Sequence, residues 1–367
     1  MTSRSATSSI CAVVALAVSA LASGSVSAAP RFTAAAGTWT ATASMSVARA
    51  HMTATTLLDG RVVVVGGVGE RTTELYDPAT GTWSAGGTLN EPRWLHVAVR
   101  IADGRVLVAG GGAYTAGAEV YDPATNRWTP TGSMSVDRYD STATLLRNGR
   151  VLVVGGFSGN GTGVQSSAEL YDPATGSWTQ TGSLRTPRRN HTATLLADGT
   201  VLVAGGFADT WLRSAELYDP TSGRWKRAAP MTIPREHASA TLLGNGRVLV
   251  AGGGNPSATL SAELYDPAAG KWTRTGNMTD YHGPAAVLLR DGRVLAAGGG
   301  DEAADVYSPA TGTWTPTGPA AYPFVGGSAV ALLADGRVLS VGGEMLTNCT
   351  PKGCGSAPSA TAELYTP

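Results

Sequence analysis

Short apolar segments recur along the chain at a nearly constant interval, and the same polar and glycine positions flank each of them. A run such as Val151–Val154 follows an Asp-Gly or Asn-Gly pair, and a Gly-Gly doublet follows the run. The doublets begin at Gly66, Gly110, Gly155, Gly205, Gly252, Gly298 and Gly342, with spacings of 44 to 50 residues. A repeat of this length predicts supersecondary units that bury their apolar faces against one another.

Each unit contains the signals of four short strands, which we name a to d in chain order. Asp-Gly or Asn-Gly between two apolar runs is typical of a hairpin between strands a and b. A variable stretch then leads to Glu-Leu-Tyr-Asp-Pro or a close variant in strand c, and a tryptophan such as Trp178 marks strand d. No window shows a sustained helical period. Four antiparallel strands repeated seven times predict an all-β, seven-bladed propeller.

The two ends of the chain predict how the ring closes. The last unit stops at Tyr365 and Pro367 without its tryptophan strand, whereas Gly37-Thr38-Trp39-Thr40 is a tryptophan segment without a unit of its own. We expect this N-terminal strand to complete the last blade, because pairing satisfies an otherwise open strand edge.

The N-terminus has the pattern of an export signal. A polar stretch with Arg4 precedes the apolar run Ile10–Ala22, and Val26-Ser27-Ala28 supplies small residues for cleavage. We therefore assign residues 1–28 to a signal peptide and residues 29–367 to the propeller, and we expect a secreted protein, extracellular or periplasmic. The run is too short to cross a bilayer, and no membrane insertion is expected.

Composition and cysteine content narrow the class of protein. The 27 basic and 27 acidic side chains balance, which argues against a nucleic-acid partner. Cys349 and Cys354 are the two cysteines left after the signal, and in an oxidising compartment a local disulfide is favoured over a metal site. We expect a monomer without a cofactor.

Gly-Gly, then Tyr, then Trp, in four-strand units of this length, resembles the kelch repeat over about residues 37–367. The resemblance implies a kelch-type propeller in which strand a lines the channel and the d-to-a and b-to-c loops share the binding face. Proteins with this repeat include scaffolds, carbohydrate-associated proteins, sugar epimerases and copper oxidases similar to galactose oxidase.

Tyr281-His282 resembles a pair of residues in those copper oxidases. The cysteine that is cross-linked to a ligand tyrosine in that family, and the domain after the propeller that supplies a histidine ligand, are missing from this sequence. Arg235-Glu236-His237 resembles the acid, base and cation of kelch-type sialic acid epimerases, although side chains alternate along an extended chain. Catalytic residues are therefore not assigned, and Glu236, Arg235, Tyr281 and His282 are only candidates.

The repeat frame places further candidate ligand contacts on the binding face. An arginine lies eleven residues before the turn glycine in five blades, and histidines follow closely. Bidentate guanidinium groups suit carboxylates, but a repeated residue can equally serve packing. Two tryptophans outside the motif could stack on a sugar ring or pack at the rim. The candidates are Arg49, Arg93, Arg138, Arg188, Arg235, His96, His191, His237, Trp94 and Trp211.

Other repeated charges are expected to be structural. We expect the Asp-Gly-Arg arginines to pair with the glutamates of strand c across strands b and c. Long b-to-c loops in blades 3 and 7, the latter with the two cysteines, favour a recognition surface. The sequence thus predicts an exported binding module for a glycan or an extracellular or envelope protein. The alternative is a sugar-modifying enzyme, epimerase-like or an oxidase.

Overall fold

The computed structural model describes residues 37–367 apart from 113, 256, 281–284, 299–303, 323–325 and 351–352, with only the backbone described at 348–350 and 353–354. The predicted signal peptide lies in residues 1–36, outside this range, so export stays a prediction. Among the described residues, no helix is long and apolar enough to cross a membrane.

Seven four-stranded antiparallel sheets form the described chain, one for each repeat, in the order a-b-c-d. The a strands are β2 (Thr53–Thr56), β6 (Val97–Arg100), β10 (Thr142–Leu145), β16 (Thr192–Leu195), β20 (Ser239–Leu242), β24 (Ala285–Leu288) and β28 (Ala329–Leu332). The b strands are β3 (Val62–Val65), β7 (Val106–Ala109), β11 (Val151–Val154), β17 (Val201–Ala204), β21 (Val248–Ala251), β25 (Val294–Ala297) and β29 (Val338–Val341).

The two outer strands of each blade follow the same order. The c strands are β4 (Thr72–Asp77), β8 (Ala118–Asp122), β14 (Ala168–Asp172), β18 (Ala215–Asp219), β22 (Ala262–Asp266), β26 (Asp305–Ser308) and β32 (Ala362–Thr366). The d strands are β5 (Thr82–Thr88), β9 (Arg127–Thr131), β15 (Ser177–Thr181), β19 (Arg224–Ala228), β23 (Lys271–Arg274), β27 (Thr313–Pro316) and β1 (Thr38–Ala41). Two loops carry small hairpins, β12 (Phe157–Ser158) with β13 (Gly163–Val164), and β30 (Glu344–Thr350) with β31 (Gly353–Pro358).

The blades close into a ring around the a strands. Each a strand contacts the a strands of its two neighbours, and β28 contacts β2. The N-terminal strand β1 pairs with β32 in register Trp39↔Tyr365. The prediction of a seven-bladed propeller whose last blade is completed by the N-terminal strand is confirmed.

The apolar b strands are buried because each is covered on both faces by neighbouring blades. Val63 and Val65 pack against Val106 and Val108 of the next blade, whereas Val62 and Val64 pack towards the last blade. Burial on both faces explains why these strands are continuous apolar runs instead of alternating ones.

A tyrosine–tryptophan contact repeats in all seven blades and pins strand c to strand d. The ring centroids lie 5.0 to 5.1 Å apart in every pair. In the last blade the pair joins Tyr365 to Trp39, so the two ends of the chain reproduce the contact that other blades make within one repeat.

The Gly-Gly doublets mark the close approach of each blade to the next. Gly66 and Gly67 both have positive φ, 67° and 120°. The amide of Gly67 donates to the carbonyl oxygen of Arg93 at 2.9 Å, and a Cβ on Gly66 would overlap that same oxygen. A side chain is therefore excluded by both backbone conformation and space.

Candidate functional site

The five arginines predicted to face a ligand are buried in the frame of the blades, each at most 2% exposed. Arg188 is typical: Nη1 donates to the carbonyl oxygens of Gly205 and Ser214 at 2.8 and 3.0 Å, and Nη2 lies 3.0 Å from Glu216 Oε1. The equivalent pairs are Arg49–Glu74, Arg93–Glu119, Arg138–Glu169 and Arg235–Glu263, at 3.0 to 3.2 Å. This geometry favours the packing interpretation, and ligand binding by these arginines stays a prediction.

These ion pairs correct the expected pairing of the other repeated charges. Five of the glutamates of strand c, in blades 1 to 5, bind the buried arginines of the loops and not the Asp-Gly-Arg arginines. The turn arginines instead bind their own turn, as Arg61 Nη2 binds Asp59 Oδ2 at 2.6 Å, or the half-buried aspartate that ends strand c, as Arg150 Nη2 binds Asp172 Oδ2 at 3.3 Å. The reason is that the turns lie at the opposite end of the blade from the buried carboxylates.

His96 and His191 occupy equivalent buried positions between blades. Their Nε2 atoms lie 2.9 Å from the hydroxyls of Thr53 and Thr142 in the preceding blades. Burial, with the nearby charge of Arg93 or Arg188, lowers the pKa of each to about 3. Both imidazoles are therefore neutral at physiological pH and serve as links between blades, and any contact with a ligand stays a prediction.

A run of backbone hydrogen bonds lies where the loops of the first five blades enter their a strands. His51, Leu95, Asp140, Asn190 and His237 occupy the same repeat position and all have φ between 52° and 58°. The amide of each of the last four donates to the carbonyl oxygen of the residue before it in this series, at 3.0 to 3.2 Å. This run of hydrogen bonds places five side chains of four kinds around one end of the channel, which we call the mouth.

Glu236 and His237 meet at the mouth, whereas Arg235 does not. Glu236 Oε1 accepts from Trp211 Nε1 at 3.0 Å, and Oε2 accepts from Asn190 Nδ2 at 3.0 Å. His237 Nδ1 lies 3.7 Å from Oε2. The left-handed backbone at His237 breaks the alternation expected of an extended segment, so two adjacent side chains share one place. Burial lowers the pKa of His237 against the opposing charge of Glu236.

Six side chains from neighbouring loops contact one another in a continuous line beside the mouth, which we call the aromatic row. Tyr114 and Tyr139 have ring centroids 6.2 Å apart, and Tyr139 and Phe157 are 5.3 Å apart. The guanidinium of Arg189 lies over Phe157 at 5.4 Å and over Phe207 at 5.5 Å. Phe207 and Trp211 complete the row, with centroids 5.5 Å apart.

Loop backbones hold the aromatic row in place. Bridges join Tyr139 to Phe157, Arg189 to Phe207, and Phe207 to Trp211. Trp94 lies apart from the row: its indole packs over Gly112, where a Cβ would overlap the ring. Of the two candidate tryptophans, the structure thus brings only Trp211 into contact with other candidate residues.

Arg189 and Asp140 are two oppositely charged side chains that face each other beside the aromatic row. Arg189 Nη1 lies 3.9 Å from Asp140 Oδ2, at the outer limit of an ion pair. Within the described part of the chain the guanidinium makes no hydrogen bond, and its Nε is buried without a partner. Burial raises the pKa of Asp140 to about 6, with Arg189 opposing the shift and Glu236 adding to it.

Sequence reasoning missed most of these residues because it followed what the repeats share. Arg189 directly follows the constant Arg188, and Asp140 lies two residues after Arg138. The signal that could have found them is variation: the positions beside the constant arginine read Ala50, Trp94, Tyr139, Arg189 and Glu236 in successive blades.

The metal and disulfide candidates fall at the edge of what is described. Tyr281 and His282 lie outside the described residues. Among the described residues, no group of three or more His, Cys, Asp or Glu is arranged to hold a metal ion. The backbones of Cys349 and Cys354 lie on adjacent strands β30 and β31, but their side chains are not described, so the disulfide stays a prediction.

Comparison with known proteins places the chain among propellers. A family model described as the KLHDC2/KLHL20/DRC7 kelch-repeats domain matches residues 51–253, more than half of the 367. A comparison with curated protein sequences gives no significant match.

Two solved structures are similar in fold. One is a fungal alcohol oxidase of the AA5 family in complex with copper, 22% identical with a TM-score of 0.74, covering 90% of this chain and 76% of that one. The other is YjhT, 16% identical with a TM-score of 0.60, covering 75% of this chain and 99% of that one. At these identities the likeness concerns the fold alone.

Proposed function

We propose, from the premise that this chain belongs to the kelch-repeat family, that it is an exported, monomeric binding module that holds a saccharide against its aromatic row. The observation that carries the proposal is the row itself, in which five rings and one guanidinium from five neighbouring loops follow one another at 5.3 to 6.2 Å. Aromatic faces stack on the apolar faces of sugar rings and supply contact area at little entropic cost.

The surroundings of the row support a saccharide more than an apolar ligand. Glu236, Asn190 and His237 lie beside Trp211 and offer acceptors and donors for hydroxyl groups. Tyr114 is 54% exposed at the far end of the row, so the stack is open to a ligand longer than one sugar unit. Apolar faces bordered by a few placed polar groups are what ligand sites generally provide.

The test is isothermal titration of the chain starting at residue 29 with a panel of oligosaccharides. We expect Trp211→Ala and Tyr114→Ala to weaken binding roughly tenfold or more, as for aromatic anchors generally. Leu58→Ala is the matched control, since Leu58 is a large exposed apolar side chain, 69% exposed, in an a-to-b turn away from the row. Absence of saccharide binding, or equal binding by the row variants, would overturn the proposal.

A second candidate function rests on Glu236. Its carboxylate is held by Trp211 and Asn190 with His237 at 3.7 Å, an arrangement suited to moving a proton on a bound sugar. Proton NMR of the protein–saccharide samples in D₂O distinguishes the two functions, because it detects hydrogen exchange or chemical conversion of the sugar. Exchange or conversion that Glu236→Gln abolishes supports the enzyme. Trp211→Phe keeps an aromatic ring but removes the N–H that binds Glu236, so it should largely spare binding while it impairs proton transfer.

A further inference from the structure

We propose that the guanidinium of Arg189 is a carboxylate subsite for acidic saccharides, and that Asp140 competes with the ligand for it. The inference rests on the proposed function, because it names the class of saccharide that the aromatic row would hold. It also adds a regulatory feature, since the competitor belongs to the protein itself.

The guanidinium of Arg189 lies against two aromatic rings. Its Cζ is 5.4 Å from the ring centroid of Phe157 and 5.5 Å from that of Phe207. Its edge is not used: no described residue accepts a hydrogen bond from it, and Nε is buried without a partner. A planar fork of donors in a partly buried, aromatic environment is a strong site for a carboxylate, which can accept two parallel hydrogen bonds.

The neighbouring arginine, Arg188, has a different environment. It is saturated by three carbonyl oxygens, a hydroxyl and a carboxylate. Arg189 has none of these partners although it is 74% buried, with a side-chain exposure of 26%. Packing within the blades therefore accounts for Arg188 and leaves the donors of Arg189 available to a ligand.

Asp140 lies beside the guanidinium of Arg189. Its carboxylate oxygen lies 3.9 Å from Arg189 Nη1, with a side-chain exposure of 10%. That separation is too long for a hydrogen bond but short enough for attraction in a partly buried place. A ligand carboxylate on Arg189 would lie close to Asp140, so the two negative charges repel each other when Asp140 is ionised.

The other charged groups around Asp140 determine when it ionises. Arg189 faces it from the next loop, Glu236 from the loop after that, and His237 and His51 belong to the same mouth. On its own loop, Asp137 is held by Ser158 and Gly159 at 2.6 and 2.8 Å and is directed away. Burial and Glu236 together raise the pKa of Asp140 to about 6, so it loses its charge in mildly acidic solution.

The test uses a neutral glucose tetrasaccharide and the glucuronic acid tetrasaccharide of the same linkage, titrated at pH 7.5 and pH 5.5. We expect the acidic sugar to bind roughly tenfold more tightly at pH 5.5, because Asp140 is then mostly protonated while the sugar carboxylates stay ionised. The neutral sugar should bind alike at both pH values. Binding of the acidic sugar near pH 6.5 should also take up protons, seen as a dependence on the buffer's ionisation enthalpy.

Two variants assign the effect to these residues. Asp140→Asn, which tolerates the left-handed backbone, should bind the acidic sugar at pH 7.5 as tightly as the wild type does at pH 5.5. Arg189→Met keeps an apolar chain between the two rings and should reduce the acidic sugar to the affinity of the neutral one. Arg224→Met, at an exposed position on β19, is the control and should change nothing.

The outcomes separate the two proposals. If neither tetrasaccharide binds, the proposed function fails. If both bind equally and Arg189→Met has no effect, saccharide binding stands and the acidic subsite is overturned. A pH effect that persists in Asp140→Asn overturns the competitor role. Tight binding of a peptide carboxylate with no binding of either sugar replaces the saccharide class.

Discussion

Nη2 of Arg188 lies 3.0 Å from Oε1 of Glu216, and both side chains are almost completely buried. The backbone of Arg188 is attached to the preceding blade, since its amide donates to Gln165 and its carbonyl oxygen accepts from Gly156. One residue therefore joins blade 3 by its backbone to blade 4 by its side chain. Arg49, Arg93 and Arg235 repeat both backbone bonds and the ion pair, and Arg138 repeats the ion pair and the bond to its carbonyl oxygen.

Breaking this pair should destabilise the ring. Glu216→Gln leaves the buried guanidinium of Arg188 without its counter-charge, and removing one partner of a buried ion pair costs about 3–5 kcal/mol. Urea unfolding followed by tryptophan fluorescence measures the loss. Arg185→Gln is the control: its amide binds Glu216 but its side chain is exposed, so its effect should stay within about 0.5 kcal/mol. Equal effects of the two substitutions would contradict the prediction.

Glu363 of the last blade should destabilise the fold when it is ionised, whereas ionised Glu216 stabilises it. At the position of the buried arginine this blade has Val325, which lies outside the described residues. Glu363 accepts from the amide of Ala321 at 2.8 Å, and burial raises its pKa to about 7. A raised carboxyl pKa means that the folded state holds a proton that the unfolded state releases, so stability falls as pH rises from 4.5 through 7.

Glu363→Gln should remove this loss. At pH 8 the variant should be more stable than the wild type by up to about 3 kcal/mol, and at pH 4.5 the two should agree. Glu263→Gln is the matched comparison, because Thr232 and the charge of Arg235 lower the pKa of Glu263 against the effect of burial. It should lose stability at pH 8. Denaturation curves at both pH values decide, and a destabilised Glu363→Gln at pH 8 would refute the prediction.

His96 and His191 should make the protein sensitive to acid. A pKa of about 3 in the folded state, below the ordinary 6.5, means that the unfolded state binds more protons between these values. Stability is therefore lost as pH falls below about 6.5. NMR should show both imidazoles neutral at pH 5, and His96→Gln should flatten the decline in unfolding free energy between pH 6.5 and pH 4.5. Titration of either ring near pH 6.5 would show that the links between blades are open to water.

The N-terminal strand should be essential to the ring. Trp39 stacks on Tyr365 and its Nε1 donates to Thr317 at 3.1 Å. A chain starting at residue 37 should be as stable as the full chain, whereas one starting at residue 43 should lose at least about 3 kcal/mol, as for removal of a packed tryptophan. Light scattering should also show association through the exposed edge of β32. Unchanged stability of the shorter chain would contradict this role of β1.

The glycine, tyrosine and tryptophan positions predict blade number and ring closure because they are fixed by contacts that every repeat must make. A glycine doublet such as Gly66-Gly67 is needed in each blade because the next blade approaches it closely. A tryptophan such as Trp39 is needed in each blade because it packs on the tyrosine of strand c, here Tyr365. The candidate site was predicted less well. The constant Arg188 suggested a ligand contact, whereas its variable neighbour Arg189 lies in the aromatic row.

The sequence by itself determined the repeating strands and turns of this protein. Seven copies of one pattern agree on the position of each strand, and the residues that form a turn are neighbours in the sequence. Tertiary structure alone decided which side of each loop faces the channel. The direction of each side chain depends on a residue with left-handed backbone, such as Asp140 or His237. Near His237, the side chain of Arg235 is buried in the blade, whereas those of Glu236 and His237 lie at the mouth. This direction also depends on contacts between blades, which bring Tyr114 and Trp211 into one row although about a hundred residues separate them.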